Sequence, residues 1–227
     1  MAAYTTIDNP GEYFNTKLYT GTGSSHAITG VGFAPNWVWI KKRSASGAHG
    51  LLDTVRGVHE SLASNSNGGT NDDSNSLTAF GSDGFTVGSS GAFNGGSATF
   101  VSWNWKETAT AGFDIVTYSG TAASSKTISH SLSAVPKMII VKCRSADENW
   151  AVYHHTLGNT HALFLNTTGA KSDTPVFADT TPTSSVFSVS ADDRTGADGK
   201  TYVAYCFADV KGYSKFGSYT GNGNADG

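Results

Sequence analysis

Three groups of residues have types and spacings that could carry chemistry. The first is Asp192-Asp193-Arg194-Thr195-Gly196-Ala197-Asp198-Gly199, in which Asp192, Asp193 and Asp198 stand close together. Hard oxygen ligands at short spacing are what Ca²⁺ requires. The run lacks a bidentate acid at the EF-hand distance, so a plain hairpin loop is the favoured reading. The second group is histidine, with seven in the chain, among them His59, His130, His154, His155 and His161. Adjacent His154 and His155 on a strand would point to opposite faces and could not share one metal ion, so structural or surface roles are expected. The third is Trp37 and Trp39, two apart in the strand-like run Asn36-Trp37-Val38-Trp39-Ile40-Lys41 and therefore on one face. Left partly open, that face is an apolar platform on which a sugar ring can stack. Packing inside a core is the competing reading, because Met138 and Ile140 at the matching places of a later run are aliphatic.

Catalytic signatures are missing. There is no complete G-x-x-x-x-G-K-[ST] phosphate-binding loop, no G-x-S-x-G elbow and no H-E-x-x-H. The four glutamates, Glu12, Glu60, Glu107 and Glu148, make no evident pair for sugar hydrolysis. Cys143 and Cys206 have no metal-site spacing and read as free thiols. The expectation is a protein without enzymatic activity, cofactor or resident metal.

The elements that must position these side chains follow from composition. Gly, Ser, Thr and Asn make up 96 of the 227 residues, against four Glu and no Gln. Turn formers and β-formers abound while good helix formers are scarce, which excludes a helical bundle. Charged residues are 15 % and the net charge is −3. Scattered Lys and Arg give no basic field for a polyanion, so nucleic acid is not an expected partner. The N-terminus lacks a basic start with an apolar run behind it, and no stretch is apolar enough for a membrane helix; neither a signal peptide nor a membrane span is expected.

Internal repetition organises the chain. Leu18-Tyr19-Thr20-Gly21-Thr22-Gly23 returns as Thr117-Tyr118-Ser119-Gly120-Thr121-Ala122 and again as Ser218-Tyr219-Thr220-Gly221-Asn222-Gly223. Between these anchors Ile28 matches Ile128, Pro35 matches Pro136, and Arg43-Ser44-Ala45 matches Arg144-Ser145-Ala146. Asn65 with Asn166, Phe85 with Phe187 and Val101 with Val203 continue the series. A duplicated unit of about 100 residues follows. The organisation reads as an N-terminal lead 1–11, repeat 1 at 12–111, repeat 2 at 112–211, and a segment 212–227 that either closes repeat 2 or opens a third repeat. The end in mid-turn at 224–227 points to a longer natural chain.

Within each unit, short strands alternate with turn signals, which predicts two tandem β-sandwich domains of jelly-roll-like type. The runs 36–41 and 137–142 are apolar on both faces and read as central strands covered on both sides. In 99–105 and 201–207, the face carrying Val101, Trp103 and Trp105, or Val203, Tyr205 and Phe207, is the expected core face. Residues 65–76 are almost purely polar and read as a long surface loop.

The strings Leu18-Tyr-Thr-Gly-Thr-Gly, Gly32-Phe-Ala-Pro-Asn-Trp-Val-Trp-Ile-Lys-Lys-Arg-Ser, Leu52-Asp-Thr-Val-Arg-Gly, Ser82-Asp-Gly-Phe-Thr-Val-Gly and Phe100-Val-Ser-Trp-Asn-Trp-Lys resemble the repeated domain of tail-fibre-like virion proteins of tailed, particularly marine, bacteriophages. The resemblance covers nearly everything after Asn9. It implies a structural virion component, a fibre or appendage, with other virion proteins and a host-surface polysaccharide as partners. It implies assembly in the host cytoplasm and an extracellular mature particle, and a homotrimer if the protein is a fibre; apolar residues on both faces of the Trp37 strand add to that last expectation. Two alternatives stand beside it: a capsid or tail decoration protein without a receptor role, and a secreted carbohydrate-binding or glycoside-active module.

Overall fold

The computed structural model describes residues 5–224. The first four and last three residues, parts of the expected lead 1–11 and of segment 212–227, lie outside the described residues. The protein is all-β apart from single turns of helix. In chain order the strands are β1 (Phe14–Thr20), β2 (His26–Thr29), β3 (Trp37–Lys42), β4 (His49–Asp53), β5 (Gly57–Ala63), β6 (Asn71–Asp72), β7 (Leu77–Gly81), β8 (Gly84–Val87) and β9 (Thr99–Trp105). The second half continues with β10 (Phe113–Ser119), β11 (Lys126–Ser129), β12 (Met138–Cys143), β13 (Ala151–His154), β14 (His161–Phe164), β15 (Ser172–Asp173), β16 (Val186–Val189) and β17 (Thr201–Phe207).

Two six-stranded antiparallel sheets have the same order, β1-β9-β3-β4-β5-β6 and β10-β17-β12-β13-β14-β15. A small sheet accompanies each, β2-β8-β7 in the first half and β11-β16 in the second. Matched residues do matched work. Asn65 Oδ1 accepts from the His49 amide at 3.0 Å, and Asn166 Oδ1 from the Trp150 amide at 2.9 Å. Ser44 and Ser145 accept in the same way from the amides that start β9 and β17. These shared bonds show why the repeat keeps Asn and Ser at such places: each satisfies a backbone donor that the ladder leaves over. The architecture is a duplicated all-β fold in which neither large sheet closes into a barrel or jelly roll.

Strand alternation puts an apolar set on both faces of each large sheet. Val38, Ile40, Leu52 and Phe100 face the small sheet of their own half and pack with Ile28, Leu77, Phe85 and Val87. In the second half, Ile139, Val141, Tyr202, Ala204 and Cys206 do the same with Ile128, Phe187 and Val189. The opposite faces meet each other. Trp37, Leu51 and Leu62 pack against Ile115, Ile140, Trp150, Val152, Val203, Tyr205 and Phe207 in one buried cluster. This corrects the expected core face: Val203, Tyr205 and Phe207 belong to the contact between halves, and each half's own core is built from the alternate residues. The period of 2 fixes which residues share a face, but both sets are apolar here, so the pattern alone cannot rank them. The same contact accounts for the two apolar faces of β3 within one chain, so that feature no longer argues for a trimer.

Residues 65–76 lie largely at the surface, as expected, but are not a plain loop. The segment contains β6 and clasps the second half: the Gly69 amide donates to Asp147 at 3.1 Å, the Thr70 amide to the Arg144 carbonyl at 2.8 Å, and Lys142 Nζ to the Asn67 carbonyl at 3.0 Å. No helix among the described residues is long and apolar enough to cross a membrane.

Candidate functional site

The two halves meet around a tryptophan held from several sides. Trp37 is 1 % exposed. Its ring lies 4.4 Å from that of Trp105, its partner across β9, and stacks at 4.5 Å on Tyr205 of the second half. Tyr205 is fixed in turn by a buried ion pair. Arg56 Nε donates to Asp53 Oδ2 at 2.6 Å, both side chains being fully buried. The Tyr205 hydroxyl donates to the same oxygen at 2.8 Å and accepts from Arg56 Nη2 at 3.2 Å. Arg56 also reaches the Leu51 and Glu60 carbonyls. Burial works against its charge, but the Tyr205 oxygen and the Asp53 carboxylate hold its pKa up. A charge buried this deeply persists because its donors are almost all spoken for.

Beside this latch the contact opens into a cleft of about 340 Å³. Its walls are Phe14, Trp37, Trp39 and Trp105 from the first half and Phe113, Met138, Ile140, Phe207 and Phe216 from the second. Ser214 and Tyr213 stand among the lining residues. The cleft lies where Trp39, Trp105 and Met138 are only half-buried, whereas Trp37 and Phe207 are packed. The indole N–H groups of both Trp37 and Trp39 are buried without a hydrogen-bond partner among the described residues. Indole N–H is a donor only, and both groups are closed off from solvent, so the cleft presents largely apolar, aromatic walls. Such an arrangement fits a ligand with an apolar ring face. A second cavity of about 310 Å³ lies wholly in the first half, between Leu62, Phe93 and a rim of Ser61, Ser66, Asn71 and Ser90.

The structure thus brings Trp37 and Trp39 together, with the first serving as packed floor and the second as open wall. The acidic run is placed elsewhere. Asp192 is held by Arg194 at 2.6 Å, and Asp193 by Lys200, which also binds Glu148. Asp198 is exposed. The described residues contain no group of three or more His, Cys, Asp or Glu arranged to hold a metal ion. His154 and His155 do not point to opposite faces of a strand as expected: β13 ends at His154, the chain turns, and the two rings lie 5.1 Å apart. His155 Nε2 lies 3.0 Å from the Phe216 carbonyl at the edge of the cleft. Cys143 and Cys206 are buried free thiols.

One glutamate sits in a setting that no sequence motif announces. Glu107 follows β9 at the junction of the halves, where its carboxylate accepts from the Ile115 amide at 3.1 Å. Burial first, then the neighbouring Asp114 carboxyl and the charge of Asp53, push the Glu107 carboxyl up to about 7. Its proximity to Asp114 depends on the turn at Ala109–Ala111, which no motif announces.

The chain belongs to the family described as a domain of unknown function (DUF7483), whose model matches residues 9–227 and takes both halves together. No curated protein and no solved structure matches it.

Proposed function

We propose that this protein is a non-catalytic, tail-fibre-like component of a tailed-bacteriophage virion, and that its aromatic cleft takes a sugar unit of a host-surface polysaccharide. The observation that carries the ligand class is the aromatic wall of the cleft, where the Trp39 and Trp105 rings are only half-buried. A sugar ring offers an apolar C–H face for stacking on such rings, and no charge is demanded of either side. The resemblance of the repeated strings to those of phage appendage proteins supports the virion setting. In this reading each large sheet and its small sheet form one β-sandwich, at 12–111 and 112–211, and other virion proteins are the assembly partners. The halves are joined by a buried aromatic cluster and a buried ion pair, which suits an appendage that must transmit contact from tip to particle.

A bacterial glycan array probed with the pure protein tests the ligand. Binding to one glycan class, weakened at least tenfold by Trp39→Ala with the fold intact by circular dichroism, is the expected result. Immunogold labelling of particles that carry the chain tests the setting. Label on the capsid shell, together with an empty array, would overturn the attachment role and favour a decoration protein.

A further inference from the structure

The Tyr-Thr/Ser-Gly segment occurs three times, and its first two copies have the same surroundings. The first ends β1, which pairs along its length with β9, the last strand of its half. The second ends β10, paired likewise with β17. Each tyrosine ring stacks on an aromatic ring of that last strand, Tyr19 on Phe100 at 5.1 Å and Tyr118 on Tyr202 at 5.2 Å. Each hydroxyl donates to a loop carbonyl, that of Phe93 at 2.6 Å or Thr195 at 2.7 Å. The glycine two residues on is pressed against the same loop: a Cβ on Gly21 would run into the Gly95 carbonyl, and one on Gly120 into the Ala197 carbonyl. The segment therefore opens a half.

The third copy has the shape without these partners. Tyr219 is 95 % exposed, nothing lies within 4 Å of where a Cβ on Gly221 would sit, and no strand includes the segment. Its turn is nevertheless that of the first copy. Gly23 and Gly223 both have a φ of +73°. Thr22 Oγ1 accepts from the Ser24 amide at 3.3 Å, and Asn222 Oδ1 accepts in the same way from the Asn224 amide at 2.8 Å. Tyr13 and Tyr213 each stand six residues before the tyrosine of their copy, so the match runs at a period of two halves. The second copy has Ala122 where the other two have glycine, and it lacks the earlier tyrosine.

We propose that residues 213–223 are the opening strand of a further two-half block of this kind. The partner is the last strand of that block's first half, a strand of the β9 type with an aromatic ring for Tyr219 to stack on. The loop before that strand supplies a carbonyl for the tyrosine hydroxyl and a backbone so close that only glycine fits at 221. Pairing buries a tyrosine ring and satisfies a strand's worth of backbone groups. A complete second copy of the chain does not serve, because its β9 is already paired with its own β1. The inference does not use the glycan reading of the cleft, although Tyr213 and Phe216 at the start of the segment also line that cleft.

The test joins residues 21–224 behind Thr220 of the full chain, so that 214–220 stands where β1 stood. Nitration of Tyr219 is expected to fall at least tenfold relative to the 227-residue chain, and hydrogen exchange over 217–221 to slow similarly. Tyr219→Ala in this tandem chain should loosen the appended block and leave residues 5–211 unchanged. A companion chain with residues 5–224 joined behind Asn224 brings its own first strand, shows that a second block folds there, and should leave Tyr219 reactive. Undiminished nitration of Tyr219 in the first tandem chain overturns the proposal, and so does failure of both tandem chains to fold a second block.

Discussion

Tyr205→Phe removes a single oxygen from the latch between the halves, and its cost can be worked from the contacts. Asp53 accepts from the Arg56 amide at 2.8 Å, from Arg56 Nε at 2.6 Å and from the Tyr205 hydroxyl at 2.8 Å. The substitution deletes the third of these, a bond to a buried charge worth about 1.5–3 kcal/mol. It also removes the weaker Arg56 contact at 3.2 Å, while ring stacking on Trp37 is kept. A loss of about 2–3 kcal/mol follows, which for a chain of this size lowers Tm by roughly 5–10 °C. Arg56→Met should cost more, about 3–5 kcal/mol, because it strands the Asp53 carboxylate in a site with no access to water. Urea unfolding followed by tryptophan fluorescence reads both, since Trp37 sits on the latch. Either change loosens the bond between the halves, so a split into two transitions would add to the reading. A Tyr205→Phe protein within 0.5 kcal/mol of wild type, or an Arg56→Met protein no weaker than Tyr205→Phe, refutes the reasoning.

Glu107 gives a pH signature. Its folded pKa of about 7 lies above the ordinary carboxyl value, so the stability it contributes is complete below about 4.5 and is lost as pH rises to 7. Because the group is only half-buried, the full shift is discounted to roughly 1–2 kcal/mol. Glu107→Gln should therefore stabilise the protein by that amount at pH 8 and change little at pH 4.5 in paired urea titrations; equal effects at both pH values would count against the assignment. Among the glycines, Gly21→Ala and Gly120→Ala should each cost about 2–3 kcal/mol through backbone collision, whereas Gly221→Ala should cost under about 0.5 kcal/mol in this chain. Thermal melts of the three variants separate these outcomes.

Composition, the 100-residue repeat and the period of 2 in β3, β9, β12 and β17 are local properties of the chain, which is why the all-β class, the duplication and the pairing of Trp37 with Trp39 on one face could be read directly. The repeat even marked the bonds that both halves need, as at Asn65 and Asn166. Other features depend on residues brought together across the halves. Arg56 looks like a surface charge in Thr54-Val55-Arg56-Gly57, yet it is buried because Tyr205, 149 positions away, closes over it. Glu107 is perturbed only because the junction turns back on itself. In the polar run 65–76, the Gly69 and Thr70 amides donate to Asp147 and Arg144 of the second half. Alternation determines that two faces of each large sheet are apolar, because side chains change sides at every residue. Which face closes a half and which joins the halves was decided by tertiary packing, since burial free energy depends on the area removed from water and is indifferent to which apolar surface supplies it. The cleft is what remains where that second packing is incomplete.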